Sequence, residues 1–374
     1  MTDTFDVAVI GGGIGGATAA CHLSPDHSVV LLEQEAELAF HTTSRSAAIY
    51  LEGDGGGVMH RLNRASRTFF DQDHAELDAP LLEPLPVLTV GTEGMEEELR
   101  AQAERDRVLT PSIRYVDGSE LLDLCPILQP DVVTCGILEA SAASLDVMAL
   151  HQLYVRRARA QGADVRRSSK VTAIERTGSG WQLTTASGAI ACGAIVNAAG
   201  AWGDVVAGLA GVEPIGLTPM RRTAFTARVD MDPTPWPFIY SHSSDFPCYF
   251  KPEAGQQLLC SLSDETPSEP VDARPLEIDV AMAIDHINTI STLNLRSVTT
   301  TWAGLRTFAP DRDPVYGWDD AVEGFFWLCG QGGWGIVSSP AAGRITAAAF
   351  AGEGLPAELA ESGLTTADLA PRRA

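Results

Sequence analysis

Three glycine-rich turns and two arginines are the residues of this chain from which chemistry can be built. Gly11, Gly13 and Gly16 read G-x-G-x-x-G, directly after the apolar run Phe5-Asp6-Val7-Ala8-Val9-Ile10 and before the small-residue stretch Ala17 to Leu23. Ser24-Pro25-Asp26 turns the chain, and a second apolar run, Ser28 to Leu32, stops on Glu33. Strand, turn, helix, strand and a carboxylate about 20 residues on is the arrangement that holds a dinucleotide. Gly11 would permit the tight turn, Gly13 the approach of backbone to a pyrophosphate, and Gly16 the close packing of helix on strand. The helix N-terminus, with Ile14 and Gly15 in its first turn, offers unpaired N–H groups and positive dipole to phosphates. Glu33, with Gln34 beside it, is placed for ribose hydroxyls. The competing reading is a glycine-rich turn that binds nothing, and the flanking elements argue against it.

The construction recurs twice. Ala194-Ile195-Val196-Asn197 runs into Ala198-Ala199-Gly200-Ala201-Trp202, and Phe325-Phe326-Trp327-Leu328 runs into Gly330-Gln331-Gly332-Gly333-Trp334-Gly335. A nicotinamide cofactor generally needs one such turn, whereas an extended flavin dinucleotide needs several, one for each part that approaches the backbone. The hydroxyl-rich stretch His41-Thr42-Thr43-Ser44-Arg45-Ser46-Ala47-Ala48 is too polar for a core. Arg222 and Arg306 supply guanidinium forks, which match a carboxylate in two parallel hydrogen bonds and stay charged when partly buried. Either could instead pair with a structural Asp or Glu. Arg221 adjoins Arg222, and strand alternation sends the two to opposite faces, so one of them can reach a site.

The elements that must position these groups are legible as an α/β chain. Helices are expected over Val58 to Asp71, Met95 to Arg105, Val147 to Gln161 (with Asp146 as N-cap), Asp204 to Leu209 and Leu276 to Thr289. Strands are expected at Val87 to Val90 and near Val165, Val171 and Trp181, and a long small-residue helix after Gly335. From Thr218 to Thr301 alternating strands with proline-rich turns read as an antiparallel sheet in a second domain. The expected organisation is a Rossmann-like domain from residues 1–85, 145–217 and 305–374, interlaced with an α+β substrate domain on a mixed or antiparallel sheet from 86–144 and 218–304. The 374 residues suit two such domains. With 26 Lys plus Arg against 49 Asp plus Glu, the net charge of −23 argues against nucleic acid and anionic lipid as partners. Seven cysteines without metal spacing point to reduced thiols, and the strand beginning at Phe5 leaves no room for a signal peptide. A cytoplasmic protein with no integral membrane segment is expected.

Taken together, Val9 to Gly16, His41 to Ala48, Asn197 to Trp202, Arg221-Arg222, Trp302-Ala303-Gly304-Leu305-Arg306 and Glu323 to Ile336 resemble the glycine oxidase/D-amino-acid oxidase family of FAD-dependent oxidoreductases, nearest to its D-arginine dehydrogenases. The resemblance covers nearly the whole chain and implies non-covalent FAD, since Phe308-Ala309-Pro310-Asp311 lacks the Cys that some relatives use for attachment. It implies that Thr42 to Ile49 wraps the pyrophosphate and ring, that Val171 touches adenine through its backbone, and that Gly332 to Val337 closes over the flavin. Arg222 and Arg306 would grip the substrate carboxylate, Tyr249 would add a phenol hydrogen bond, and the Gly333 carbonyl would orient the amine. Hydride would pass from Cα to flavin N5, leaving an imine that hydrolyses to a 2-oxo acid and ammonia. No general base is assigned. The final electron acceptor, oxygen or a quinone-like carrier, stays open.

The chain departs from the D-arginine pattern at the distal pocket. Val87 stands where a carboxylate would meet a guanidinium, and Ile49, Leu51, Phe238, Tyr240 and Val337 make the expected wall apolar, with Asp54 its one charge. Asp54 also reads as a solvated turn residue beside Gly55. Neutral, apolar D-amino acids are therefore the expected substrates, with secondary amines such as N-methyl amino acids, or 2-hydroxy acids, as alternatives. A binding protein on the same fold is a third reading, disfavoured by the flavin loops and the arginine pair. Ser241-His242-Ser243-Ser244-Asp245 holds triad letters, but neighbours in one loop cannot adopt triad geometry. His41 reads as a loop hydrogen-bonder.

Overall fold

In the computed structural model, which describes residues 2–53, 56–72, 74–178 and 180–372, the chain is organised by two sheets. The first is built on strand β1 (Asp3–Ile10), helix α1 (Ile14–Leu23) and strand β2 (Val29–Leu32). Val7 to Ile10 and all of β2 are buried, as unbroken apolar runs in a central parallel sheet should be. β1 pairs in parallel with β2 on one side and with β3 (Gly188–Asn197) on the other, and β3 pairs in parallel with β4 (Phe325–Cys329). Val7 and Val9 point into a core with Leu23, Phe326 and Ala342, while Ala8 and Ile10 point into another with Ile195, Val206 and Trp327. One sheet is thus buried on both faces, the first of them against α1 and helix α2 (Ser339–Phe350).

The register matters for function. Ile10 stands beside Leu32 and Asn197, and Asn197 beside Trp327. The carboxyl ends of four adjacent strands therefore lie at one level. Three of those ends run straight into the three small-residue turns.

The second sheet is mixed. Strand Thr218–Arg228 pairs antiparallel with Thr300–Phe308 and Gln257–Ser261, and Phe238–Ser241 pairs in parallel with Val87–Thr92. One face, with Leu88, Phe225, Ile239, Phe250 and Leu258, packs on helix Glu277–Ile290 through Ala283 and Ile287. The other carries Val87, Phe238, Tyr249 and Leu259, against which Ala47, Ile49, Leu51 and Trp302 pack. The strand that carries Arg306 continues in this sheet to Phe308, past the boundary expected at 304/305.

The expected helices form close to their bounds, and the Asp146 carboxylate caps helix Val147–Ala160 by accepting from the Ala149 N–H at 2.8 Å. Strands that the sequence reading does not contain include Ile113–Asp117, Val133–Glu139 and Val315–Trp318. Their arginine, glycine and aspartate residues break the alternation, and pairing with long neighbours supplies the order instead. The third turn also differs. Gln331–Gly332 adds a short strand to Thr307–Phe308, and α2 begins only at Ser339.

Gly16 is where α1 crosses β1. A Cβ there would lie 1.8 Å from the Gly11 carbonyl oxygen, which is backbone and cannot yield. Gly16→Ala should cost on the order of 3 kcal/mol or more and lower the thermal midpoint by several degrees in calorimetry; an unchanged midpoint would contradict this packing.

Candidate cofactor and substrate site

One cavity of about 500 Å³ gathers residues from both sheets. From the first turn it takes Gly11 to Gly15, from the end of β2 Glu33 and Gln34, and from the second turn Ala199, Gly200 and Trp202. From the third it takes Gly332, Gly333, Gly335 and Ile336, and Val171 lines it too. Thr42, Thr43, Arg45, Ser46 and Ala47 border it as a loop, and Arg222, Tyr249 and Arg306 enter from the second sheet.

The dinucleotide end follows from α1. Its N-cap is Gly13, with no side-chain hydrogen bond there, so its first-turn N–H groups face the cavity uncapped except where Ile14 N donates to Thr43 Oγ1 at 3.0 Å. A Cβ on Gly13 would meet only Thr43 Oγ1, at 3.2 Å, and one on Gly15 only side chain at 3.4 Å before backbone is reached. Gly200 has φ +55 and open space where a Cβ would point. These glycines leave room for a bulky anion against bare backbone, which fits a pyrophosphate. Gly11 instead makes the turn itself, at φ +111, with a Cβ excluded by the Ala198 carbonyl at 2.5 Å. The Glu33 carboxylate accepts from the Gly12 N–H at 2.7 Å and the Glu35 N–H at 2.9 Å. Burial pushes its pKa above the usual carboxylate range, and those two N–H bonds work against the rise.

The loop joins the sheets. Thr42 Oγ1 donates to the Leu305 carbonyl at 2.7 Å, and Arg45 donates to the Ala303 carbonyl at 2.8 Å and to Asp272 at 2.6 Å. Trp302 Nε1 returns a bond to the Arg45 carbonyl at 3.2 Å. His41 bonds Glu35 at 3.0 Å and packs on Trp202, so its ring is a loop hydrogen-bonder as expected.

At the other end Arg222 is buried at 9% exposure, with its guanidinium 5.9 Å from the Tyr249 ring. Its Nε donates to the Asp264 carbonyl at 2.7 Å and one Nη to Glu265 at 3.4 Å, so one edge of the fork is already used. Arg221 points the other way, to Asp279 at 3.8 Å. Arg306 lies against Gly333, where a Cβ would come within 3.1 Å of the guanidinium carbon.

Several expected residues stand off the cavity. Gly16 is on the face of α1 that packs on β1, Ser44 is exposed and bonds carbonyls of its own loop, and Trp334 packs edge-on to Phe308. Ala48, at φ +56, turns the chain toward strand Ile49–Tyr50. Ile49, Leu51, Val87 and Phe238 share a cluster with Tyr249, and of these five only Tyr249 borders the cavity. Tyr240 is 37% exposed, and Val337 is buried with Ile14 and Tyr50 in a different cluster. Asp54 lies outside the described residues. The cavity also takes Phe40, Ser169, Lys170, Glu269 and Pro270, none of them an expected site residue, and Gln331 of the third turn, for which no individual role was expected. Ser169-Lys170 adjoin Val171 and Gln331 sits within the third turn, so adjacency could have found them; Glu269-Pro270 carry no such signal.

The model of a protein family described as FAD dependent oxidoreductase matches residues 6–349. This chain belongs to that family. FAD is thus its cofactor, and the uncapped α1 N-terminus and cavity-facing glycines are the residues suited to hold it. Among curated relatives it is similar to hydrogen cyanide synthase subunit HcnC of Pseudomonas aeruginosa, 24% identical with 96% of this chain and 95% of that one covered. It is likewise similar to glycine oxidase of Geobacillus kaustophilus, 22% identical over 99% and 97% of the two chains. Among solved structures, L-proline dehydrogenase from P. horikoshii has the same fold, with TM-score 0.86, 20% identity and 96% of each chain covered. As in this flavoprotein family, the fold is a Rossmann-like domain joined to a mixed-sheet domain. Among the described residues no helix is long and apolar enough to cross a membrane, and no cluster of His, Cys, Asp or Glu could hold a metal.

Gly13→Val separates cofactor binding from folding. The protein should keep its circular dichroism but purify with little FAD, read as the flavin-to-protein absorbance ratio. Wild-type flavin content in that variant would remove Gly13 from the pyrophosphate site.

Proposed function

We propose that this flavoprotein oxidises the Cα–N bond of an amino acid, gripping the carboxylate with Arg222, Arg306 and Tyr249. The observation that carries the reading is convergence: two arginines and a phenol from separate strands border the same cavity as the three glycine turns. A guanidinium offers a planar fork of donors, and a carboxylate is the small anion whose geometry suits it. Arg222 offers the end of its fork that Asp264 and Glu265 do not use. Arg306 lies where a side chain on Gly333 would crowd it, and the Gly333 carbonyl would orient the amine.

FAD, held by the α1 N-terminus and the cavity-facing glycines, would supply the two-electron oxidant for the substrate's Cα–H bond. The chain's own part is orientation and exclusion of water: the carboxylate is fixed, Cα is turned inward, and a neutral amine needs no side-chain base. The imine product hydrolyses to a 2-oxo acid and ammonia.

Side-chain selection follows from what stands behind the clamp. Tyr249 stacks on Phe238, with Val87, Ile49 and Leu51 beyond, so a cationic side chain would lose hydration there. Glu139 stands directly across the ladder from Val87, and its carboxylate already accepts from the Glu52 N–H at 2.6 Å and the Gly53 N–H at 3.1 Å. A neutral, apolar D-amino acid suits the part of this cluster that borders the cavity, Ala47 and Tyr249, each CH₂ buried there contributing about 0.8 kcal/mol. A second reading rests on the cavity stopping at Ala47 and Tyr249, which favours small or N-alkylated substrates such as glycine or sarcosine.

Arg222→Met and Arg306→Met should each keep FAD and lower kcat/KM about 30- to 4,000-fold, the range for removing one partner of a buried charge pair. Arg221→Met, facing Asp279, should shift the thermal midpoint more than turnover. If neither pocket variant falls tenfold, the carboxylate is held elsewhere.

An ammonia-release panel distinguishes the substrate readings. Neutral apolar D-amino acids should exceed D-arginine, D-lysine and all L-enantiomers in kcat/KM. Glycine or sarcosine ahead of D-leucine would favour the small-substrate reading, and D-arginine ahead of all would overturn the apolar wall.

A further inference from the structure

The pairing of strand Thr218–Arg228 is interrupted beside Arg222. Ala224 pairs with Ser261 and Arg221 with Thr266, so residues 262–265 loop out between them. The loop fills the gap it leaves. Asp264 accepts from the Thr223 N–H through its carboxylate at 2.8 Å and from Arg222 Nε through its main-chain carbonyl at 2.7 Å. Glu265 then meets Arg222 Nη2 at 3.4 Å and is shared with Arg312, whose Nη2 donates to its two carboxylate oxygens at 3.1 and 2.9 Å. Arg312 lies over the Phe308 ring at 3.9 Å, in the turn that leads back to the first sheet, and does not border the cavity.

The sharing is unequal. The short contacts of Glu265 go to Arg312, and its contact with Arg222 is at the edge of hydrogen-bond range. Arg222 keeps its strongest bond to a neutral carbonyl, so its orientation does not depend on Glu265. Its available charge does.

We propose that Glu265, held back by Arg312, is an internal competitor for Arg222 and sets how tightly the pocket grips a substrate carboxylate. This rests on the reading of Arg222 as a carboxylate-binding residue. A 2-oxo acid carries the same carboxylate as the amino acid it came from and must leave the same arginine after each turnover. A nearby carboxylate that takes up part of the guanidinium's charge lowers the cost of that departure, and Arg312 limits how far the competition goes.

The test uses the holoprotein and acetate, followed through the visible absorbance of the bound flavin, with acetamide as the uncharged control. Glu265→Gln removes a like charge close to the ligand, so the acetate Kd should fall about three- to tenfold. Arg312→Met lets Glu265 swing onto Arg222, so the Kd should rise by a similar factor. The double variant Glu265→Gln/Arg312→Met should match Glu265→Gln, because Arg312 acts only through Glu265. A merely structural pair would shift both single variants in the same direction; that result, or no shift in either, overturns the proposal. Arg222→Met distinguishes the two levels. If it binds acetate as the unaltered protein does, or if the unaltered protein binds none, the carboxylate clamp itself fails and the competitor with it. If it loses acetate while Glu265→Gln is unchanged, only the competitor fails.

Discussion

The register of β2, β1, β3 and β4 puts Leu32, Ile10, Asn197 and Trp327 at one level, and the whole cofactor end depends on that alignment. A slip of one residue in any pair would move a turn and exchange two differently shaped core faces, placing Val7 and Val9 where Ala8 and Ile10 now pack, so the packing of Val7 to Ile10 and of β2 also fixes the site. Gly11 and Gly16 then allow α1 to start close above β1, with its N–H groups aimed at the shared edge. A dinucleotide bound there lies outside the carboxyl ends of the strands, where the order reverses between β2–β1 and β3–β4.

The substrate end is tied to this edge by a few polar contacts. Thr43 reaches α1, while Thr42 and Arg45 reach the strand that carries Arg306. The loop at 42–45 therefore sets how the arginine-bearing sheet faces the cofactor turns. Arg222 depends on the neighbouring loop at 262–265, and its Asp264 carbonyl bond fixes a side chain that would otherwise sample many rotamers. Thiols take no part: burial raises Cys125, Cys192 and Cys248 to about 12, leaving them protonated and inert.

The cofactor end was legible because its requirements are local. A G-x-G-x-x-G between two apolar strands can be read from about thirty consecutive letters, and the repeated turns identified an extended cofactor. The alternation that separates Arg221 from Arg222 was legible for the same reason. The distal wall was less so, since it depends on which residues a mixed sheet brings into register. Phe238 and Val87 do pair in register, but of their cluster with Tyr249 only Tyr249 borders the cavity, and Tyr240 and Val337 go elsewhere. The Glu265–Arg312 pair joins residues far apart in the chain, and nothing local in either segment announces it.

The central claim is that a flavin bound at the three turns takes electrons from an amine whose carboxylate lies on Arg222 and Arg306. It is tested most directly by anaerobic mixing of the purified protein with a panel of D- and L-amino acids, glycine and sarcosine. At least one carboxylate-bearing amine should bleach the visible flavin band within the turnover time, its decarboxylated amine should not, and Arg306→Met should slow the bleaching. A flavin that no amino acid reduces, or one reduced equally well by the amine without its carboxylate, would contradict it.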